Sequence, residues 1–472
     1  MSTTETGQHS GGRRRQAQRS APPPKTGTVL QLIARRVHFL AGIVVAPFLA
    51  VVALTGLIYA FSPEIHADLY RSDLFAHPTG GAPHPVSEQV RAALTAHPEL
   101  KLKAVITAAS PDRTTRVVLS VPGQTGSPDR TVYVDPYTDY ISGELATVDN
   151  RLPANTWLRQ LHSNLQLGKP GRIYSELAAS WVPPLVVGGL ALWFARSRRK
   201  RRVREFVLPA VKGKKGRLRL RSVHGSLGLW VTAGLLVAGV TGLAMSQFAG
   251  GRADATVDPI HLRAPTLVAA PVPVPPQARP IGIDEALAIA ESAGLDGELS
   301  VVPPSGQSMP FTVTEITEGL PIQRDAITIN PYTADVTERI SWHDYSVLAK
   351  LSILGTEFHT GSLFGLANQI VVALVAAATL VLIVLGYRMW WIRNPYRGRW
   401  ASLPGPLWRQ LPRPALIVTL LAIGAMAWVL PVFGASLLAF LILDALLRWF
   451  MRRRKPVSAV TAWKPEPAGR ES

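Results

Sequence analysis

RRVHFLAGIVVAPFLAVVALTGLIYAF, residues 35–61, and RSVHGSLGLWVTAGLLVAGVTGLAMSQF, residues 221–248, decide the fold of this chain. Each is a long apolar run that opens close to a histidine. At the same spacing His38 is followed by Thr55, Gly56 and Leu57, and His224 by Thr241, Gly242 and Leu243. A helix needs about 20 apolar residues to cross a bilayer core. Val37 to Phe61, Leu177 to Phe194, Gly225 to Met245 and Ala367 to Trp391 meet that requirement with little internal charge. Two shorter runs, Ala415 to Leu430 and Val432 to Phe450, flank Pro431 and read as a tight helical hairpin. The expectation is a mainly α-helical transmembrane bundle of about six spans.

Composition agrees with this. The 472 residues are 47% hydrophobic yet include 50 Lys and Arg against 31 Asp and Glu, a balance that suits a membrane protein. The basic residues lie between the apolar spans instead of interleaving with aromatics on one surface, so no nucleic-acid partner is expected. There is no cysteine, which excludes Fe–S clusters, thiolate zinc sites, disulfides and covalently attached c-type haem. Any metal chemistry must run on histidine and carboxylates.

Lys and Arg are retained on the cytoplasmic side of membrane spans. Arg13, Arg14, Arg15, Lys25, Arg35 and Arg36 precede the first span, RSRRKRRVREFVLPAVKGKKGRLRLR follows the second, RNPYRGR the fourth and MRRRK the sixth. Both termini are therefore expected inside. The first apolar run is too long for a signal-peptide core, and no small-x-small site follows it, so a retained helix is expected. The expected order is a disordered basic tail (1–30), helix 1 (31–61), an outer segment (62–172), helix 2 (173–196), a basic inner loop (197–221) and helix 3 (222–246). A second outer segment (247–357), an outer histidine segment with helix 4 (358–392), an inner loop (393–414), the hairpin (415–450) and an inner tail (451–472) complete it.

The two halves repeat. Each outer segment has a helix-like run, VSEQVRAALTAHP or GIDEALAIAESAG, followed by strand-like runs that end in VDPYT (134–138) or INPYT (329–333). Two small α+β units are expected. LHSNLQLG (161–168) returns as FHTGSLFG (358–365) with the same His-to-Gly spacing. Spans 1 and 3 run in one direction, so this is a parallel duplication about an axis near the membrane normal.

That axis brings His38 and His224 to matching depths at the inner face, and His162 and His359 at the outer face. A planar cofactor on the axis would meet one imidazole on each side, as a bis-histidine haem iron requires. Gly42 and Gly228, one turn after the inner histidines, would let a porphyrin approach the backbone. A histidine at a helix end is often only an interfacial polar residue, and duplication copies a structural histidine as readily as a ligand; glycine is also common in membrane helix packing. His66, His77, His84, His97, His261 and His343 fall in the outer segments without counterparts, and His9 lies in the tail. Glu64, Glu176 and Glu357 lie near outer ends, and Asp444 is costly inside an apolar span unless it pairs or lines an interface.

The motifs RRVHFLAGIVVAPFLAVVALTGLIYAF, VYVDPYT, LHSNLQLGKPGR, SVHGSLGLWVTAGLLVAGVTGL, INPYT and EFHTGSLFG resemble the PepSY-associated transmembrane helix family over about residues 30–395. That family includes iron-regulated proteins and ferric-siderophore reductases of the bacterial inner membrane. The resemblance implies two PepSY-like periplasmic domains, b-type haems in the helical bundle and reduction of ferric iron in an imported chelate, with His38, His162, His224 and His359 as iron ligands. Arg35, Arg36 and Arg221 would face inner haem propionates, and Lys169 and Arg172 outer ones; topology accounts for all five charges equally well. No strand followed by GxGxxG lies in the inner loops, so a quinol or a separate reductase would supply electrons. A non-redox protein binding a periplasmic partner, and an accessory subunit of iron-chelate uptake, are the alternatives. No HExxH or comparable hydrolase signature is present.

Overall fold

A computed structural model of the chain describes residues 26–120, 128–197, 203–257, 263–392 and 410–453. Most of the expected N-terminal tail, His261, and parts of the loops 197–221 and 393–414 and of the tail 451–472 lie outside the described residues.

The first apolar run forms α1 (Thr26–Val44) and α2 (Ala46–Tyr59). The expected single span is broken at Val45 because Pro47 has no N–H to continue the ladder. The helical path nevertheless carries on, with Val45 N donating to Ala41 O and Leu49 N to Val45 O. α3 (Ser62–Leu69) bends away from α2 by 48°, and the four-residue α4 (Arg71–Leu74) leads into the sheet.

The first half of the sheet is α5 (Val86–Ala96) with β1 (Lys101–Ile106), β2 (Thr115–Ser120), β3 (Asp129–Val134) and β4 (Ile141–Thr147). The chain then returns through α6 (Pro153–Asn164), α7 (Lys169–Ser180) and α8 (Val182–Ser197), and α9 (Val203–Val207) precedes the long α10 (Gly216–Ala244). After α11 (Ala249–Val257) the second half repeats the pattern: α12 (Ile283–Ser292), then β5 (Leu299–Val302), β6 (Phe311–Glu315), β7 (Ala326–Ile329) and β8 (Val336–Ile340). α13 (Val347–Thr360), α14 (Leu366–Ile392), α15 (Arg413–Val429) and α16 (Pro431–Arg453) follow.

Among the described residues, four helical stretches are long and apolar enough to cross a membrane: Thr26–Val44, Lys169–Arg196, Gly216–Ala244 and Leu366–Ile392. α2 with α3 makes a fifth if that bent pair is one span, and α15 and Pro431–Leu446 are shorter apolar helices. The chain is a multi-pass membrane protein. Its helices turn large apolar side chains outward, Leu374 and Val384 on α14 being 63% and 57% exposed, which water would disfavour and hydrocarbon accepts.

The two α+β units expected as separate bodies form one antiparallel sheet of eight strands, ordered β4-β3-β2-β1-β5-β6-β7-β8. β1 and β5 each end a four-stranded half and would leave an unpaired edge. They meet in register at Val105–Val301 and Ile106–Ser300, and Thr107 N extends the seam by donating to Leu299 O. Arg116 on β2 pairs with Glu298 across it. α5 and α12 cover one face, burying Val90 and Ala93 against Val117 and Val132 in one half, and Ala286 and Ala290 against Val313 and Ile327 in the other. Val86 and Ile283 belong to both cores, so the halves share apolar contacts as well as strands.

In the bundle α1 packs on α8 and α10 on α14 within each half, while α14–α2 and α10–α8 contacts join the halves. The C-terminal hairpin is fastened to this bundle by polar contacts. Trp181 Nε1 donates to Ser436 Oγ at 3.0 Å, and Arg36 reaches both carboxylate oxygens of Asp444 at 3.1 and 3.2 Å. The cost of Asp444 in an apolar helix is offset in this way.

Candidate functional site

The duplication places the histidines in two pairs. The His38 and His224 ring centroids are 6.3 Å apart, and those of His162 and His359 6.2 Å apart. Each pair joins the two halves. His224 and Thr241 stand 17 residues apart on the unbroken α10, about 25 Å at the α-helical rise. That is most of the roughly 30 Å of a hydrocarbon core, and it sets the two pairs toward opposite ends of the bundle, the His162–His359 pair on the sheet side.

Each imidazole is oriented from within its own half, and the same way in both. His38 Nδ1 donates to Leu185 O at 2.8 Å, and His224 Nδ1 to Leu382 O at 3.1 Å. These carbonyls stand 23 residues after the outer histidine of their half, His162 or His359. A carbonyl only accepts, so Nδ1 carries the proton and Nε2 keeps its lone pair. On the sheet side, Thr55 Oγ1 lies 3.1 Å from His162 Nδ1, and Thr241 Oγ1 2.9 Å from His359 Nδ1. Both hydroxyls already donate to carbonyls of their own helices, Val51 at 3.0 Å and Val237 at 2.7 Å. They are therefore acceptors toward the imidazoles. All four rings commit Nδ1–H and leave Nε2 for a ligand bond, as metal-bound histidines require.

Small residues let the rings approach the helices. A Cβ on Gly56 would lie 2.9 Å from His162 Cε1, one on Gly242 3.2 Å from His359 Cε1, and one on Gly189 3.1 Å from His38 Cε1. Gly386, the counterpart of Gly189, lies opposite His224 Cε1 at 4.0 Å. Neither these glycines nor Thr55 and Thr241 had been assigned a role from sequence. The repeated Thr-Gly-Leu was the visible signal; it supplies both the acceptor and the clearance for each outer imidazole.

The donor set fits a metal held between two imidazoles. Two His nitrogens in line, each about 2.0–2.1 Å from an ion and each ring centre roughly 1.1 Å beyond, put the centroids about 6.3 Å apart. Both pairs match that separation. Gly42 has nothing within 4 Å of its Cβ position, and Gly228 only Leu382 Cδ2 at 3.9 Å, so no neighbouring side chain fills either position.

The expected basic partners are placed unequally. Arg221 is half-buried, with Arg196, Arg217 and Arg35 close enough for their charges to act on it. Arg35 itself is exposed, as are Lys169 and Arg172. Arg172 donates to Gln247 Oε1 at 3.3 Å, and Arg36 is engaged by Asp444.

At the sheet end, Tyr59 stacks parallel to His162 at 6.3 Å. Glu357, 5% exposed, accepts from Arg324 at 2.6 Å and from Gly319 N at 3.2 Å. This ties the β6–β7 loop to the helix that carries His359. In that loop Glu318 is surface-exposed, and partial desolvation followed by the Glu357 charge raises its carboxyl from the ordinary value. Glu176, by contrast, accepts from Phe248 N and Ala249 N at the start of α11.

The remaining histidines among the described residues stay apart from both pairs. His66 is buried on α3, His77 N donates to Asp135, and His97 bridges Glu99 and Glu144. His84 pairs with Asp139, and His343 lies in a short 3₁₀ turn.

A family model described as PepSY-associated TM region matches residues 35–393. The chain belongs to that family. The match spans both histidine pairs and the whole sheet and stops before the C-terminal hairpin. No curated protein matches the chain. Membership in the PepSY-associated TM family thus agrees with the resemblance of the motifs and with a bundle of membrane helices that carries a sheet.

Proposed function

We propose that this PepSY-associated TM protein is a membrane electron-transfer protein that holds two b-type haems and serves reduction of a ferric chelate, a ferric siderophore foremost, on the sheet side. The sheet side is then periplasmic and both termini cytoplasmic, in a bacterial inner membrane, as the Lys and Arg distribution favours. The observation that carries the reading is the pair of matched imidazole couples, each at the spacing of two in-line ligands and each with Nδ1–H committed.

Bound haem b supplies reversible one-electron chemistry at such ligands. His38 and His224 would hold one group near the basic side, and His162 and His359 the other near the sheet. Leu185 O, Leu382 O, Thr55 and Thr241 keep the ligand nitrogens unprotonated and fix the ring planes. The Arg35, Arg196, Arg217 and Arg221 cluster would offset propionate charge at the inner site.

The substrate chemistry is balanced by single electrons. A siderophore holds Fe(III) through hard oxygen donors, and one electron gives Fe(II), which such a cage holds poorly. A quinol donor would give up two electrons and two protons and so serve two ferric ions; a separate reductase is the other donor class. Anchor-only and accessory-subunit readings give no role to four imidazoles oriented alike at both faces.

The test is the absorption spectrum of purified protein from haem-replete cells, oxidised and then dithionite-reduced, with haem content by pyridine haemochromogen. We expect low-spin b-type bands and about two haems per chain, with His224→Ala and His359→Ala each removing one set. Colourless protein refutes the proposal.

A further inference from the structure

The first half of the sheet carries a side-chain cluster that electron transfer does not use. His84, Glu88 and Asp139 each present a ligand atom, and these atoms all lie within 4.8 Å of one another. His84 immediately precedes the residue that caps α5, and Glu88 is in the first turn of that helix. Asp139 closes the turn after β3 in the left-handed region, at φ 56°. His84 Nδ1 is 2.7 Å from Asp139 Oδ2. Arg91 is the other neighbour of Glu88, at 3.9 Å on the exposed side.

Two polar atoms are left over here. Asp139 Oδ1 is closed off from solvent with no hydrogen-bond partner. Gln89, 1% exposed, donates from Nε2 to His84 O at 2.9 Å while its Oε1 has no partner. The width of an amide keeps that oxygen within about 5 Å of the His84 carbonyl oxygen. Buried acceptors are normally satisfied, and of the two orphans the Asp139 oxygen lies in the His84–Glu88–Asp139 cluster itself, where a positive partner would meet it.

The duplication provides an internal control. His84 N donates to Pro136 O in the first half and Ile281 N to Pro331 O in the second, both at 2.7 Å. Asp139 is matched by Ala334, also left-handed at φ 62°. By this register Glu88 corresponds to Glu285. The second half therefore closes the same turn and docks the same helix with Ile281 and Ala334 in place of His84 and Asp139. The fold does not require the imidazole or the carboxylate.

We infer that His84, Glu88 and Asp139 form a binding site for a divalent first-row transition ion on the sheet. One imidazole with two carboxylates suits the Zn(II), Fe(II) and Mn(II) class, whereas Ca(II) and Mg(II) take oxygen ligands alone. Neighbouring ligands each about 2.0–2.2 Å from an ion are about 3.0–3.4 Å apart. The His84–Asp139 contact must open by less than about 1 Å to admit one. The side chains are 41% and 26% exposed, so an entry path exists. Ferrous iron, the product in the reading above, falls in this class, but the assignment rests on the ligand set alone.

Zn(II) is titrated calorimetrically into the full-length protein in detergent at pH 7. The comparison is with His84→Ile/Asp139→Ala, which gives the first half the residues of the second, and with Asp139→Asn, which keeps a residue tolerant of the left-handed turn. We expect one Zn(II) site per chain that weakens at least tenfold in both variants and withstands excess Ca(II) and Mg(II). No such site in the wild type, equal binding by a folded variant, or displacement by Ca(II) overturns the inference. Melting temperatures without metal establish that the variants fold, and Asp139→Asn alone carries the test if the double variant does not. Haem content measured on the same samples is expected to be unchanged, so failure of this site and failure of the haem reading are read separately.

Discussion

Gly56→Ala tests the outer histidine pair most directly. The added Cβ would stand 2.9 Å from His162 Cε1 and 3.3 Å from Nδ1, where ordinary contact begins at 3.4 Å. The ring has little freedom to retreat. Its Nδ1 is held by Thr55, the neighbouring residue on the same helix, and Tyr59 stacks on it. Relief therefore demands a shift of about 0.5–1 Å, beyond the roughly 0.5 Å within which a functional constellation holds its geometry. Overpacking of this kind costs about 1–3 kcal/mol. If that cost falls on the ligand geometry, affinity for the haem proposed at His162 and His359 should drop by roughly 5- to 150-fold at 1.4 kcal/mol per decade. Haem-to-protein ratio, together with the thermal unfolding of haem-free protein, is the assay. The ratio should fall from about two toward about one, with a milder effect for Gly242→Ala, whose Cβ has 3.2 Å. A Gly56→Ala protein with full haem content and an unshifted melt refutes the reasoning.

Thr241→Val removes the acceptor for His359 Nδ1–H, and a buried N–H without a partner costs about 1–3 kcal/mol; the midpoint potential or content of one haem should change, while Thr241→Ser restores it. Asp444→Ala removes the carboxylate that Arg36 reaches and should lower the melting temperature, with about 1–3 kcal/mol of coupling in the double-mutant cycle with Arg36→Ala. The Asp139 hydrogen bond, with its charge, holds the His84 imidazole above its ordinary value. Its contribution to stability is complete below the unfolded value of about 6.5 and is lost as pH rises through the raised folded value. The stability deficit of Asp139→Asn should accordingly be largest near pH 5.5 and vanish at alkaline pH, as followed by denaturation across that range. Finally, Val105→Cys/Val301→Cys in a chain without cysteine should form a disulfide across the β1–β5 seam, because antiparallel partners are about 4.5–5.5 Å apart at Cα. Absence of a cross-link on non-reducing gels would refute the continuous sheet.

Much of the bundle was legible because hydropathy is a local property. The α8, α10 and α14 spans fall where the apolar runs lie, whereas the break at Val45, which Pro47 marks, and the break at Trp181 between α7 and α8 were not read from the sequence. The α+β halves were also readable from their strand patterns. Their union was not, since β1 and β5 are short apolar strands whose sequences say nothing about a partner nearly 200 residues away. The outer site shows the same division. Thr-Gly-Leu was visible as a repeat, but its purpose depends on His162, 107 residues beyond Thr55. The role of Arg36 was undecidable in the sequence because its partner Asp444 stands 408 residues away.

By itself, then, the sequence determined a membrane protein with a parallel duplication and four repeat-matched histidines, because span length, charge and spacing are written along the chain. The repeat already paired His38 with His224 and His162 with His359; only the tertiary structure decided at what separation they stand and which nitrogen of each remains for a ligand. The same is true of the single eight-stranded sheet and of the cluster at His84. Each of these depends on groups far apart in the chain meeting within a few ångströms, and it is packing that brings them there.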